Sequence, residues 1–156
     1  MNQVIQNMFE LSDQQLFDIA EYLDSGMRCF FHKKTGEIKT IIDPNNGYGE
    51  EEDPIQQEIE ENWGDYFEFE RMPSHDAYEI RVDFTEIIDN EELQDKLVDA
   101  LRKPKPFQHF KDQIDNSGEY RQKWFDYQKQ RFIAYIKKQI NDHYLALELK
   151  TGSSIL

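Results

Sequence analysis

The 156-residue chain has a single cysteine, Cys29, so it can close no internal disulfide and build no thiolate zinc cluster. No apolar run approaches the ~20 residues that a membrane-spanning helix requires. The opening residues, MNQVIQNMFELSDQQ, lack a basic start and a long apolar stretch, which predicts no secretory signal. Together these absences suggest a reducing cytoplasm. The chain also lacks a glycine-rich phosphate loop and a Gly-x-Ser-x-Gly nucleophile turn. Positive charge is scarce: 18 Lys and Arg stand against 32 Asp and Glu, for a net charge of −14. Phosphate backbones are held by cationic surface, so nucleic acid is not an expected partner.

Hydrophobic residues make up 38% of the chain and aromatics 13%, enough to form a core and more than disordered chains carry. The length fits one domain. Charge is unevenly placed along it. Residues 1–65 carry 15 acidic and 4 basic side chains, a balance of −11. Residues 102–138 carry 10 basic and 4 acidic ones, a balance of +6.

Several elements announce themselves locally. Ser12 and Gln15 form a capping box, and Leu16, Ile19, Ala20 and Leu23 repeat at helical spacing up to Gly26. Residues 27–32 and 37–42 are β-prone runs joined by Lys33-Lys34-Thr35-Gly36, which predicts a hairpin with a left-handed glycine. The stretch 43–65 holds nine carboxylates and no Lys or Arg, and its first part reads as a loop. Ile55, Ile59 and Trp63 lie four apart, the spacing of a short helix. Tyr66-Phe67-Glu68-Phe69-Glu70 alternates as a third, antiparallel strand should. Helices then follow from Ser74, with a face of Ala77, Ile80, Phe84, Ile87 and Ile88, and from the Asn90 cap, with Leu93, Leu97, Ala100 and Leu101. Pro106 opens a third and a long last helix runs past Ile140. Leu145, Leu147 and Leu149 alternate, which fits a closing strand or a helix end.

The fold expected is α+β: a small antiparallel N-terminal sheet of about three strands packed on one face by helices, and an all-helical C-terminal part. The expected organisation is one domain over 1–156. Within it, 1–72 holds the sheet and the acidic loop 43–65, 73–144 holds four helices, and 145–156 is a tail.

The order of a Thr35-Gly36 hairpin, an acidic insert and Pro-x-x-x-x-Tyr-Glu-Ile-x-x-Asp-Phe (Pro73, Tyr78, Glu79, Ile80, Asp83, Phe84) continues into Phe-x-x-Phe-Lys-Asp (Phe107, Phe110, Lys111, Asp112) and Trp124-Phe125. Over roughly residues 12–142 this order resembles a family of small bacterial proteins known only as an uncharacterised protein family. The resemblance implies a bacterial cytoplasmic protein and supplies no catalytic residues.

Chemistry-bearing clusters are few. His75 and Glu79 share a helix face but offer two ligands where a metal needs three or four, so no metal site is expected. Asp43 to Pro54 fails a calcium loop, with Tyr48 and Pro54 where glycine and glutamate belong. Asp83, Glu86 and Asp112 are carboxylates without a nucleophile to serve, and Cys29 in a strand reads as a small buried hydrophobe. No catalytic residue and no cofactor is therefore assigned. Two binding surfaces stand out. Glu50, Glu51, Glu52 and Asp53 would attract a basic protein partner. Arg102, Lys103, Lys105 and Lys111, at a helix junction, would suit a phosphate or carboxylate. The leading expectation is a non-enzymatic protein-interaction or regulatory module, and the alternative is a small anionic-ligand or phosphate-group binder, an enzyme included, that uses the basic helix junction 102–111.

Overall fold

The computed structural model describes residues 3–42 and 53–152, with side chains described for 6–42 and 53–150. Its described residues form three strands and seven helices, an α+β arrangement with an all-helical C-terminal part. The chain divides into two compact units. One comprises residues up to Arg71 together with those from Phe132 onward, and the other spans Met72–Arg131.

The first unit begins with α1 (Gln3–Phe9) and α2 (Asp13–Asp24). The capping box forms as the sequence predicts: the Gln15 amide N–H donates to Ser12 Oγ at 3.1 Å, and the Ser12 N–H donates to Gln15 Oε1 at 2.9 Å. Gly26, at φ 91°, releases the chain from α2 into β1 (Met27–His32). Strand β2 (Ile38–Ile42) returns antiparallel after a turn in which Gly36 takes φ 75°, a value costly for residues with a Cβ. His32 braces that turn, since its Nδ1 accepts from the N–H groups of both Lys34 and Thr35 at 3.1 Å.

After the acidic stretch come α3 (Pro54–Glu61), a single 3₁₀ turn (Trp63–Asp65) and β3 (Tyr66–Phe69). Strand β3 pairs antiparallel with β1, so the order is β2-β1-β3 with β1 central. Register then decides the faces. Cys29 lies opposite Phe69 and Phe31 opposite Phe67, which puts these four on one face. Phe30, Ile41 and Tyr66 belong to the other. Three consecutive β1 residues, Cys29, Phe30 and Phe31, are buried, so both faces are covered.

The Cys29 face meets α7 (Tyr120–Gly152), where His143 lies 4.6 Å from the Phe67 ring. Helices α1 and α2 are tied to the same stretch of α7 by the Phe9–Tyr144 ring contact and the Lys137–Asp13 ion pair. The opposite face is closed by Ile59 of α3, packed with Phe30, Ile41 and Tyr66. Helices therefore cover two faces rather than the one expected. Ile59 is the apolar residue of α3 that brings this about: Ile55 is exposed, and Trp63 falls beyond the helix end.

The second unit contains α4 (Ser74–Ile87), α5 (Glu91–Leu101), α6 (Pro106–Asp115) and α7 up to Arg131. Asn90 caps α5 by accepting from the Leu93 N–H at 3.0 Å. Ile80, Phe84, Leu93, Leu97, Phe110, Ile114 and Trp124 are buried. Trp124 packs edge-on against Phe84 and Phe110 at 5.3 and 4.8 Å. The guanidinium of Arg81 lies 4.0 Å from the Phe107 ring centroid. Ile87 departs from the face expected of α4 and is 65% exposed, because the helix stops there and Ile88 turns extended to reach the Asn90 cap.

In α7, residues 145–150 are helical, not a strand. Leu145 and Leu149 are exposed, so their alternation carries no burial signal.

Candidate interaction groove

Alternation along β1 and β3 projects Arg28 and Phe30, with Tyr66 and Glu68, onto the face that α3 covers. Helix α3 exists because Asp53 caps it, accepting from the Ile55 N–H at 2.9 Å, and because Pro54 is preset for the first turn. Between helix and sheet lies a groove of about 370 Å³. Phe30, Ile41, Ile59 and Tyr66 make its apolar lining, and Gln56, Glu60 and Trp63 rise from the helix side. Trp63 is 77% exposed, an unusual position for the largest apolar side chain.

Two cations already sit on this face. Arg28 makes a two-pronged pair with Glu68, Nε to Oε2 and Nη2 to Oε1, both at 2.9 Å. Its Cζ lies 5.1 Å from the Phe30 centroid. Lys39 Nζ lies 5.9 Å from the Tyr66 centroid and 3.7 Å from Glu58 Oε2. The Tyr66 hydroxyl donates to Glu58, and its neighbourhood raises the Lys39 pKa above the ordinary lysine value. Each cation is thus held by an aromatic ring and a carboxylate together. Glu60 is different: its Oε1 accepts from Gln56 Nε2 at 3.1 Å, and among the described residues no cation pairs with it.

A second cavity, about 330 Å³, opens in the helical unit beside Phe84, Tyr120 and Tyr127. The Tyr120 hydroxyl donates to Asp89 Oδ1, which pushes the Tyr120 pKa up to about 12 and holds Asp89 below the usual carboxylate range.

The residues singled out in the sequence are dispersed. Glu50, Glu51 and Glu52 lie outside the described residues, and Asp53 is the α3 cap. The calcium-like stretch from Asp43 also lies outside them, apart from Asp53 and Pro54. Lys103, just past the end of α5, pairs with Asp99 at 3.0 Å, and Lys111 pairs with Asp115 at 2.6 Å along α6. Arg102 is the C-cap that follows α5, and Lys105 precedes α6 at φ 55°; both are exposed. His75 pairs with Glu79 at 3.0 Å. Asp83 accepts from Arg131 Nη1 at 2.8 Å, and Asp112 accepts from Gln108 Nε2 at 2.9 Å. Cys29 is fully buried, which pushes its thiol up to about 12. Among the described residues, no group of His, Cys, Asp and Glu could hold a metal ion, and no helix is long and apolar enough to cross a membrane.

Arg28, Glu60, Trp63, Tyr66 and Glu68 were not legible as site residues in the sequence. The signal was present in the alternation of residues 28 and 30 with 66 and 68, but it acquires meaning only once β3 is known to pair with β1.

Fold and groove define a small α+β protein with a cleft lined by three aromatic rings and by charged side chains of both signs. The chain belongs to the Uncharacterised protein family (UPF0158), whose pattern matches residues 6–148 and extends beyond the stretch that carried the resemblance at both ends. No curated protein and no solved structure matches it.

Proposed function

We propose that this is a non-enzymatic protein-interaction module, and that its partner is a basic protein received at the groove between α3 and the sheet. The carrying observation is Trp63, 77% exposed on the wall of a cleft whose charged side chains are Glu60 and the Arg28–Glu68 pair. Tryptophan is a favoured anchor at interfaces because one side chain delivers a large rigid contact. The −11 balance of residues 1–65 would steer a cationic partner toward this unit and disfavour nucleic acid. The setting that suits it is the bacterial cytoplasm.

Capture from cell lysate on tagged protein, at low and at high salt, tests this reading. The expected result is a discrete basic partner enriched at low salt, lost at high salt, and lost from a Glu60→Lys, Trp63→Ala double variant. Clean lanes at both salts overturn it.

A second reading is a small anion bound at the start of α6. It is favoured by the lack of a side-chain cap there, beside the exposed cations Arg102 and Lys105. Phosphate should then raise the melting temperature, and charge reversal at Lys105 and Lys111 should abolish the rise. No shift in the unmutated protein ends that reading.

A further inference from the structure

The α3 face repeats one arrangement, a ring and a carboxylate closing on a cation, and repeats it incompletely. Arg28 is held between Phe30 and Glu68, and Lys39 between Tyr66 and Glu58. The third ring on this groove is Trp63, the aromatic that binds cations best. Its carboxylate companion, Glu60, lines the same groove three residues earlier. Both elements of the third unit are present, and among the described residues the cation is not.

We infer that the groove takes an arginine side chain from the partner, its guanidinium lying on Trp63 and paired with Glu60. This rests on the interaction-module reading and gives it a chemistry. Arginine fits better than lysine for three reasons. A planar guanidinium stacks on an indole, its fork of donors can reach a carboxylate oxygen while stacked, and it is more weakly hydrated than an ammonium. The Arg28 unit shows the same fit within the chain: one face on a ring, two donors on Glu68. Gln56 helps by holding Glu60 through Oε1, which leaves Oε2 for the incoming donor. Phe30, Ile41 and Ile59 are largely buried and give the groove an apolar floor, and with exposed Trp63 they favour apolar side chains beside that arginine. At about 370 Å³ the groove lies at the small end of the range for ligand sites, about 300–1,000 Å³, which suits one long side chain and its neighbours.

The probe is a terminally blocked nine-residue peptide with one central arginine between leucines, beside a twin in which citrulline replaces arginine. Citrulline keeps the shape and removes the charge. Binding to the full chain is read by anisotropy of a dye on the peptide. The arginine peptide should bind about fivefold or more tighter than its twin. Trp63→Leu and, separately, Glu60→Gln should each reduce that preference to near one. Both side chains are exposed, so both variants should fold, and an unchanged melting temperature checks this. Equal binding of the two peptides, binding of neither, or a preference untouched by both variants overturns the arginine site. If salt-sensitive capture of a basic partner nevertheless persists, the module reading survives; clean capture lanes at both salts remove both.

Discussion

Gln139 of α7 pairs with the backbone of Glu70 in both directions, accepting from its N–H at 2.7 Å and donating to its carbonyl at 2.8 Å. One side-chain amide thereby continues the β3 hydrogen-bonding pattern where the strand ends. The Tyr135 hydroxyl extends the same edge by donating to the Arg71 carbonyl at 3.1 Å. These bonds join residues 69 and 64 positions apart and fasten α7 to the sheet that bears the groove.

Replacing Gln139 by Ala should therefore lower stability by about 1–2 kcal/mol, the net worth of two such bonds. Gln139→Glu should fall between, because a carboxylate still accepts from the Glu70 N–H but cannot donate to its carbonyl. Urea denaturation measures both. Equal loss for the two variants would mean that packing of the side chain, not its pairing, holds this edge.

Phe31 is fully buried at the centre of β1. Truncation to Ala should cost about 3–5 kcal/mol, since a cavity opens between strand and helices. A loss well under this range would show that the face can collapse around the gap.

Cys29 gives a reporter that needs no label in advance. Its burial keeps the thiol protonated, with a pKa near about 12, and thiolate is the reactive form. A colorimetric disulfide reagent at mildly alkaline pH should leave the native thiol untouched and titrate one equivalent after urea is added. Rapid reaction of the native protein would contradict the burial.

Most local signals were legible in the sequence and the groove was not. The Ser12–Gln15 box, the Gly36 turn and the Asn90 cap each depend on residues a few positions apart, so the chain states them directly. The groove assembles Arg28, Ile59 and Glu68 from three separate elements, and their meeting depends on strand order. Spacing also misled at Trp63: it lies in step with Ile55 and Ile59, but α3 ends at Glu61 and the indole stands outside. Ile87 misled in a related way, standing in step as the last residue of α4, where the chain turns away.

His143 provides a pH dependence with a definite sign. Burial, and then the nearby Lys33 and Lys150, hold its pKa below the ordinary 6.5. The folded state thus disfavours the proton. Its contribution is fully present above the ordinary value and is lost as pH falls through the depressed one. Melting temperature should drop between about pH 7.5 and about pH 5.5, and His143→Gln should lessen the drop. Asp89 and Asp115, whose pKa values are lowered from 3.8, act in a more acidic window and do not confuse the comparison. An identical drop in the variant would contradict the assignment.

The groove itself is tested most directly by placing a photo-crosslinking residue at Gln56, on its wall, and sequencing the peptide that becomes attached in cell lysate. The expected peptide contains arginine with apolar neighbours, its yield falls at high salt, and little is captured when the same group replaces the exposed Leu149. A peptide without basic residues, or equal yields from positions 56 and 149, would contradict the arginine site.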